Sequence, residues 1–262
     1  MSTFASTLSD SAIMFRRQLL HLRRYPSLTF LLIALPVIFL LMFVYVFGAT
    51  LGAGLAAGGD RSDYVNYLVP GILLLSLTGS AQGTALSVAM DMTEGIVDRF
   101  RSMAISRSAM LTGHVLGSLA QTLIALVVVL ATALAVGFRP NATPLEWLAA
   151  LGVLAAGAFA LIWFSVALGI FSDSIETAGN LPNVLLLLPF FGTGFVPTDG
   201  MPAALRWFAD HQPFTPITET VRGLLLGSEI GGSGVWALGW CTAISLLSYV
   251  WARRLYDRKT TS

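Results

Sequence analysis
The chain has 262 residues, 55% hydrophobic and 11% charged, with a formal net charge of +1 and a mean hydropathy of +0.77. That balance excludes an ordinary soluble domain of this length and leaves no electrostatic footprint for a nucleic-acid partner. A lone cysteine, Cys241, excludes an internal disulfide.

Six stretches contain no Asp, Glu, Lys or Arg: Tyr25 to Gly59, Tyr64 to Met90, Ser108 to Phe138, Trp147 to Ser172, Thr177 to Thr198 and Ile230 to Ala252. Each can hold the ~20 residues that cross ~30 Å of hydrocarbon. A charge at the centre of a span costs about 2.5–3.5 kcal/mol on insertion scales, so such gaps reflect a bilayer environment. The expectation is an all-α integral membrane protein forming a single transmembrane domain over 1–262, with spans at 28–50, 66–90, 109–137, 147–171, 179–197 and 233–252. Continuous runs such as Leu123 to Val136 lack the alternation of a barrel strand. The first run is also too long for a signal-peptide core of ~7–15 residues.

In chain order, residues 9–25 mix Ile13, Phe15, Leu19, Leu20 and Leu22 with Arg16, Arg17, Arg23 and Arg24, the pattern of an amphipathic helix lying along the inner interface. Ser9, Asp10 and Ser11 offer its N-cap, and Pro26 marks the turn into the membrane. Gln82 in span 2 and Gln121 in span 3 either line a pathway or satisfy interhelical hydrogen bonds. The pairs Gly79 with Gly83, Gly113 with Gly117 and Gly48 with Gly52 have spacings that let helices approach closely.

Between spans 2 and 3, the segment 91–107 packs Glu94, Asp98, Arg99, Arg101 and Arg107 around Phe100 and Met103. Elsewhere the chain mostly avoids charge, so a tight cluster of both signs at a membrane face suggests an interaction surface. Span 5 is interrupted by Pro182, Pro189, Gly192, Gly194 and Pro197, and is expected to be broken or re-entrant near the outer face, with a simple kink as the alternative. Such breaks are tolerated where protein or a water-filled cavity covers them, which makes Phe190, Phe191 and Phe195 candidates for the edge of a pathway. The external segment 198–232 carries Pro213, Pro216 and Arg222. Pro216 is placed to start a short helix and Gly227 to end it, and Leu224 to Leu226 would dip that helix into the outer leaflet.

Eleven of the fifteen Lys and Arg residues fall on one side if the spans alternate, which predicts that both termini and the 91–107 loop are cytoplasmic. Lys259, the only lysine, follows Arg258, so the chain has no phosphate-binding G-x-x-x-x-G-K-[ST] loop of its own. His21, His114 and His211 lie in separate segments with no H-E-x-x-H or Cys/His cluster, and no G-x-S-x-G occurs. Neither a catalytic residue nor a metal site is expected.

The run Glu94-Gly95-Ile96, Asp98-Arg99-Phe100-Arg101 and Ala104-Ile105-Ser106-Arg107 resembles the cytosolic segment of type-2 ABC exporter membrane subunits, the daunorubicin-resistance permeases in particular. Met201-Pro202, Arg206, Pro213, Pro216 and Arg222 are similar to the same family's pattern before its last span, while Ile105-Ser106 stands where many members have Thr-Pro. The resemblance implies a coupling helix between spans 2 and 3. It also implies a second copy or a similar permease as partner, and two separate ATP-binding cassette subunits that hold ATP and Mg. Its further implications are a bacterial-type plasma membrane and a hydrophobic or amphipathic cargo such as a drug, an antibiotic or a lipid-like compound. Export of a lipid-linked polysaccharide fits the same family. A gradient-driven carrier or a scaffold would fit the composition, although a carrier needs ion-coupling acids that the span centres lack.

Overall fold
A computed structural model describes residues 26–48, 61–93 and 107–259. The expected interfacial helix at 9–25 therefore lies outside the described residues, as does the run 94–106. Helix α1 is Pro26–Met42 and continues as a π-helical turn over Phe43–Phe47. Helices α2 (Arg61–Thr93), α3 (Arg107–Val136) and α4 (Pro144–Phe171) follow. Next come the short helices α5 (Ile175–Asn180) and α6 (Asn183–Leu187), then α7 (Ala203–His211), α8 (Phe214–Leu226) and the last helix α9 (Ser233–Lys259). No strand occurs among the described residues.

Among the described residues four helices, α2, α3, α4 and α9, are long and apolar enough to cross a membrane. The first expected span corresponds to a shorter apolar helix over Leu32–Phe47. The fifth is not a single helix. Pro182 separates α5 from α6, which passes into 3-10 turns at Leu188–Phe191 and then an irregular stretch. Proline offers no N–H and its ring clashes with the preceding turn, so two prolines and two glycines within thirteen residues, 182 to 194, prevent a continuous ladder.

Helices α2 and α4 are the centre of the bundle. In their most apolar windows 72% of residues are buried, against 28% for α3 and 22% for α9. The outer helices instead present Ile124, Val127, Leu134, Trp236, Leu246 and Leu247 outwards. That is the surface a lipid solvent accepts and water rejects. Helix α4 touches α2, α8 and α9, while α2 also carries α1, α3 and α5.

The helix ends follow from local chemistry. Thr143 caps α4 in a reciprocal capping box with Glu146, and Pro144 occupies the first helical turn, where a missing N–H is harmless. Ser174 caps α5 through the Thr177 N–H. Gly227 ends α8 in the left-handed region at φ 74°, as its position predicts. The start of α8 differs from the expectation at Pro216: helical backbone begins at Phe214, with Pro213 before it. A first turn needs no N–H donors, so Pro216 fits inside it.

Close backbone contacts fix how these elements meet. A Cβ on Gly71 of α2 would overlap the Gly194 carbonyl, and one on Gly169 of α4 would lie 2.6 Å from the Ala85 carbonyl. Gly152 of α4 meets nothing within 4 Å. Gly71→Val should therefore lower the stability of the detergent-purified protein by about 2 kcal/mol or more through overpacking, whereas Gly152→Ala should leave it unchanged or slightly raised. Thermal unfolding of the two variants side by side checks this.

Candidate functional site
The long helix α2 serves as a ruler, with polar structures at both ends and one between. Near its N-terminal end stands Arg222 of α8, only 7% exposed. Its Nη1 donates to Glu219 Oε1 at 2.6 Å, and its Nη2 donates to the Tyr67 carbonyl at 3.1 Å and the Thr193 carbonyl at 2.7 Å. The guanidinium also lies 4.0 Å from the centroid of the Tyr67 ring. One side chain thus joins α8, α2 and the irregular stretch after α6. The sequence places Arg222 among the cations of the external segment, and the structure finds it buried against protein. The nearby Pro70 has no N–H for the Asn66 carbonyl, and the carbonyl one residue on, Tyr67, is the one Arg222 occupies.

Pro213 and Pro216, the other external candidates, begin α8 where it turns inwards. Phe214 and Ile217 line an apolar pocket with Leu74 and Leu77 of α2, Gly157 of α4 and Cys241 of α9. At the other end of α8, the Leu225 carbonyl accepts from the Asn141 N–H of the α3–α4 loop. Gln212, before Pro213, donates Nε2 to the Leu188 carbonyl, and Thr215 Oγ1 donates to the Ala209 carbonyl at 2.5 Å.

Midway along α2, Gln82 Nε2 donates to the Gly179 carbonyl at 3.0 Å and to Asn183 Oδ1 at 2.7 Å. Gln82 therefore pins the break between α5 and α6. From Gln82 to Tyr67 is fifteen residues, about 22 Å of helix at 1.5 Å per residue. Across that rise the broken segment runs from Gly179, which Gln82 of α2 bonds, to Gly194, which closely approaches Gly71 of α2.

The aromatic candidates divide. Phe190 and Phe195 stack at 4.4 Å between centroids, and α1 with its π-turn adds Phe39 at 5.8 Å from Phe190 and Phe43 at 5.2 Å from Phe195. Phe195 is buried at 3%, so this group packs into the core, whereas Phe191 is 42% exposed. Gln121 sits half-buried on α3, a different helix from those that Gln82 joins.

At the C-terminal end of α2, His114 Nε2 and Asp91 Oδ2 lie 2.9 Å apart, with the two residues 4% and 8% exposed. Sequence reasoning misses this pair, because a histidine and an aspartate 23 positions apart carry no motif. Glu94, Asp98, Arg99, Phe100, Arg101 and Met103 lie outside the described residues, and Arg107 is the first residue of α3.

Comparison with known proteins supplies a family for these features. The model of the ABC-2 type transporter family matches residues 11–226. The daunorubicin resistance ABC transporter permease protein DrrB1 of Streptomyces coeruleorubidus is 27% identical over 92% of this chain and 82% of its own length. A probable doxorubicin resistance ABC transporter permease protein, DrrC of Mycobacterium tuberculosis, is 25% identical over 85% of this chain and 80% of its own. ABC transporter G family member 20 of Dictyostelium discoideum matches 64% of this chain but only 23% of itself, at 27% identity.

The Arg222 arrangement generates a graded expectation. Arg222→Ala strands a part-buried Glu219 and removes two bonds to carbonyls on other segments, and should lower stability by about 3 kcal/mol or more. Arg222→Lys keeps the charge but not the planar fork, and should fall between the alanine variant and the wild type. Thermal unfolding in detergent, with equal membrane insertion confirmed first, separates the three proteins.

Proposed function
The chain belongs to the ABC-2 type transporter family, and from that premise we propose that it is the membrane-spanning permease subunit of an ATP-binding cassette exporter. The observation that carries this reading is the breadth of the match, residues 11–226, together with drug-resistance permeases similar over four-fifths or more of both chains. The cargo in this proposal is a hydrophobic or amphipathic compound of the kind those relatives are named for. Exposed apolar side chains such as Phe191, Val184 and Leu187 on the broken segment support it.

In this reading the chain crosses the bilayer six times with both termini in the cytoplasm, and the short α1 and the broken α5–α6 segment supply the first and fifth crossings. The α7–α8 pair is re-entrant, dipping from the outer face. Support comes from Phe214 and Ile217 meeting the middle of α2 and α4 while Leu225 meets the α3–α4 loop. ATP and its Mg2+ bind on two copies of a partner ATPase, and a second copy of this chain or a similar permease completes the assembly.

This chain's own part in the cycle is mechanical. Glu94, Asp98, Arg99, Arg101 and Arg107 make charged contacts with the motor, while Phe100 and Met103 pack against it. ATP binding biases a two-state assembly, and the segment joining α2 to α3 passes that bias into the membrane.

Affinity purification of the tagged chain from its native membranes in mild detergent tests the reading. A P-loop ATPase should co-purify, and reversing the central charges with Asp98→Arg and Arg99→Asp should cut its recovery tenfold or more while insertion stays normal. Recovery that is unchanged by the reversal would contradict the coupling role, and the absence of any ATPase from the wild-type preparation would contradict the exporter assignment.

A further inference from the structure
Asp91 lies in the last turn of α2 and His114 in the second turn of α3, so their contact closes the two helices just above the thirteen residues, 94–106, that join them. The contact is 2.9 Å long, and the side chains are 4% exposed for His114 and 11% for Asp91. Around it the helices are apolar and tightly closed: Val88, Ala89 and Val115 are almost fully buried. A Cβ on Gly169 of α4 would come within 2.9 Å of Val88 Cβ.

The hydroxyls of Ser76, Ser80, Thr84 and Thr122 bond within their own helices. Ser76, Ser80 and Thr84 of α2 donate to carbonyls one turn back on α2, and Thr122 of α3 does the same on α3. They satisfy themselves and place no directional constraint on how the two helices sit. The Asp91–His114 contact is different, being directional and bridging two elements. A buried polar pair of this kind is a poor way to gain stability, because apolar residues of similar volume do as well or better once desolvation is counted. Its best-attested use is to fix one register between elements.

We propose that Asp91 and His114 are a positioning pair that locks the cytosolic ends of α2 and α3 in register, so that a displacement delivered to the segment joining them moves both helices as one lever. The inference rests on the exporter reading and adds to it the element that makes the joint stiff. In the tautomer with the proton on Nε2, His114 donates to the Asp91 carboxylate. Helix α2 carries the motion outwards for twenty-four residues, from Asp91 to Tyr67, about 36 Å at 1.5 Å per residue. There Arg222 joins it to α8 and to the broken segment.

The test uses the complex of this chain with its co-purified ATPase in proteoliposomes, reading ATP hydrolysed per molecule of doxorubicin transported. The decisive variant is the double replacement Asp91→Leu with His114→Leu, which restores apolar packing without the directional bond. It should assemble with the ATPase and unfold no earlier than wild type, yet consume at least tenfold more ATP per transported molecule. Asp91→Asn, which keeps an acceptor facing His114, should stay within about threefold of wild type. A double-leucine complex with the wild-type ratio overturns the positioning role. So does an Asp91→Asn complex as uncoupled as the double-leucine one, since the geometric link alone would then not be what matters. A wild-type complex with no ATP-driven flux at all would instead contradict the exporter reading on which the proposal stands, before any variant is compared.

Discussion
A guanidinium buried among apolar helices must find its partners inside the protein, and the elements around the N-terminal part of α2 are arranged to supply them to Arg222. Glu219 sits one turn back on the same helix, while Tyr67 and Thr193 present carbonyls from two other segments. Pro70 offers no N–H to the Asn66 carbonyl beside Tyr67, and Thr193 lies in the irregular stretch after Phe191. The close approach of Gly71 to Gly194 completes the joint, since any side chain there would push Thr193 away from Arg222. A charge that would be costly in lipid thereby becomes a fastener for three elements that aliphatic packing alone would leave free to slide.

Helix α2 carries the rest. It ends in the buried Asp91–His114 contact on one side and meets the Arg222 joint on the other. Between them Gln82 holds the broken segment where α5 gives way to α6, through Gly179 and Asn183 on either side of Pro182. Around this axis the peripheral helices expose leucine, valine and tryptophan to the bilayer. Directional constraint along this axis comes from a few polar joints, beside the close backbone contacts at Gly71 and Gly169. In an exporter, force entering at the cytosolic end of α2 and α3 would reach the outer joint through one continuous helix, with α5–α6 and α8 as the parts that respond.

Hydropathy alone makes the long helices readable. The charge-free runs fall within or over α2, α3, α4 and α9, because the cost of a charge in hydrocarbon acts on every residue of a span. The broken segment is legible through Pro182, Pro189 and its glycines, and the end of α8 through Gly227. The joints are not. Arg222 reads in sequence as one more flanking cation, and its partner Tyr67 lies 155 positions away. Asp91 and His114 sit at the margins of apolar runs, where a membrane-face charge is the ordinary reading. Phe190 and Phe195 read in sequence as the edge of a path, and nothing there signals their packing against Phe39 and the π-turn residue Phe43 of the first helix. Long-range pairing leaves no periodic trace in a single sequence, whereas a solvent preference does.

The most direct test of the central claim is the energy source of transport. Proteoliposomes holding this chain with its co-purified ATPase would be given doxorubicin on the outside, and uptake followed with ATP, with a non-hydrolysable analogue and with a protonophore. Uptake that requires hydrolysable ATP and survives the protonophore is the predicted result. Uptake that persists without ATP and collapses with the proton gradient would contradict it, and would make this chain a gradient-driven carrier.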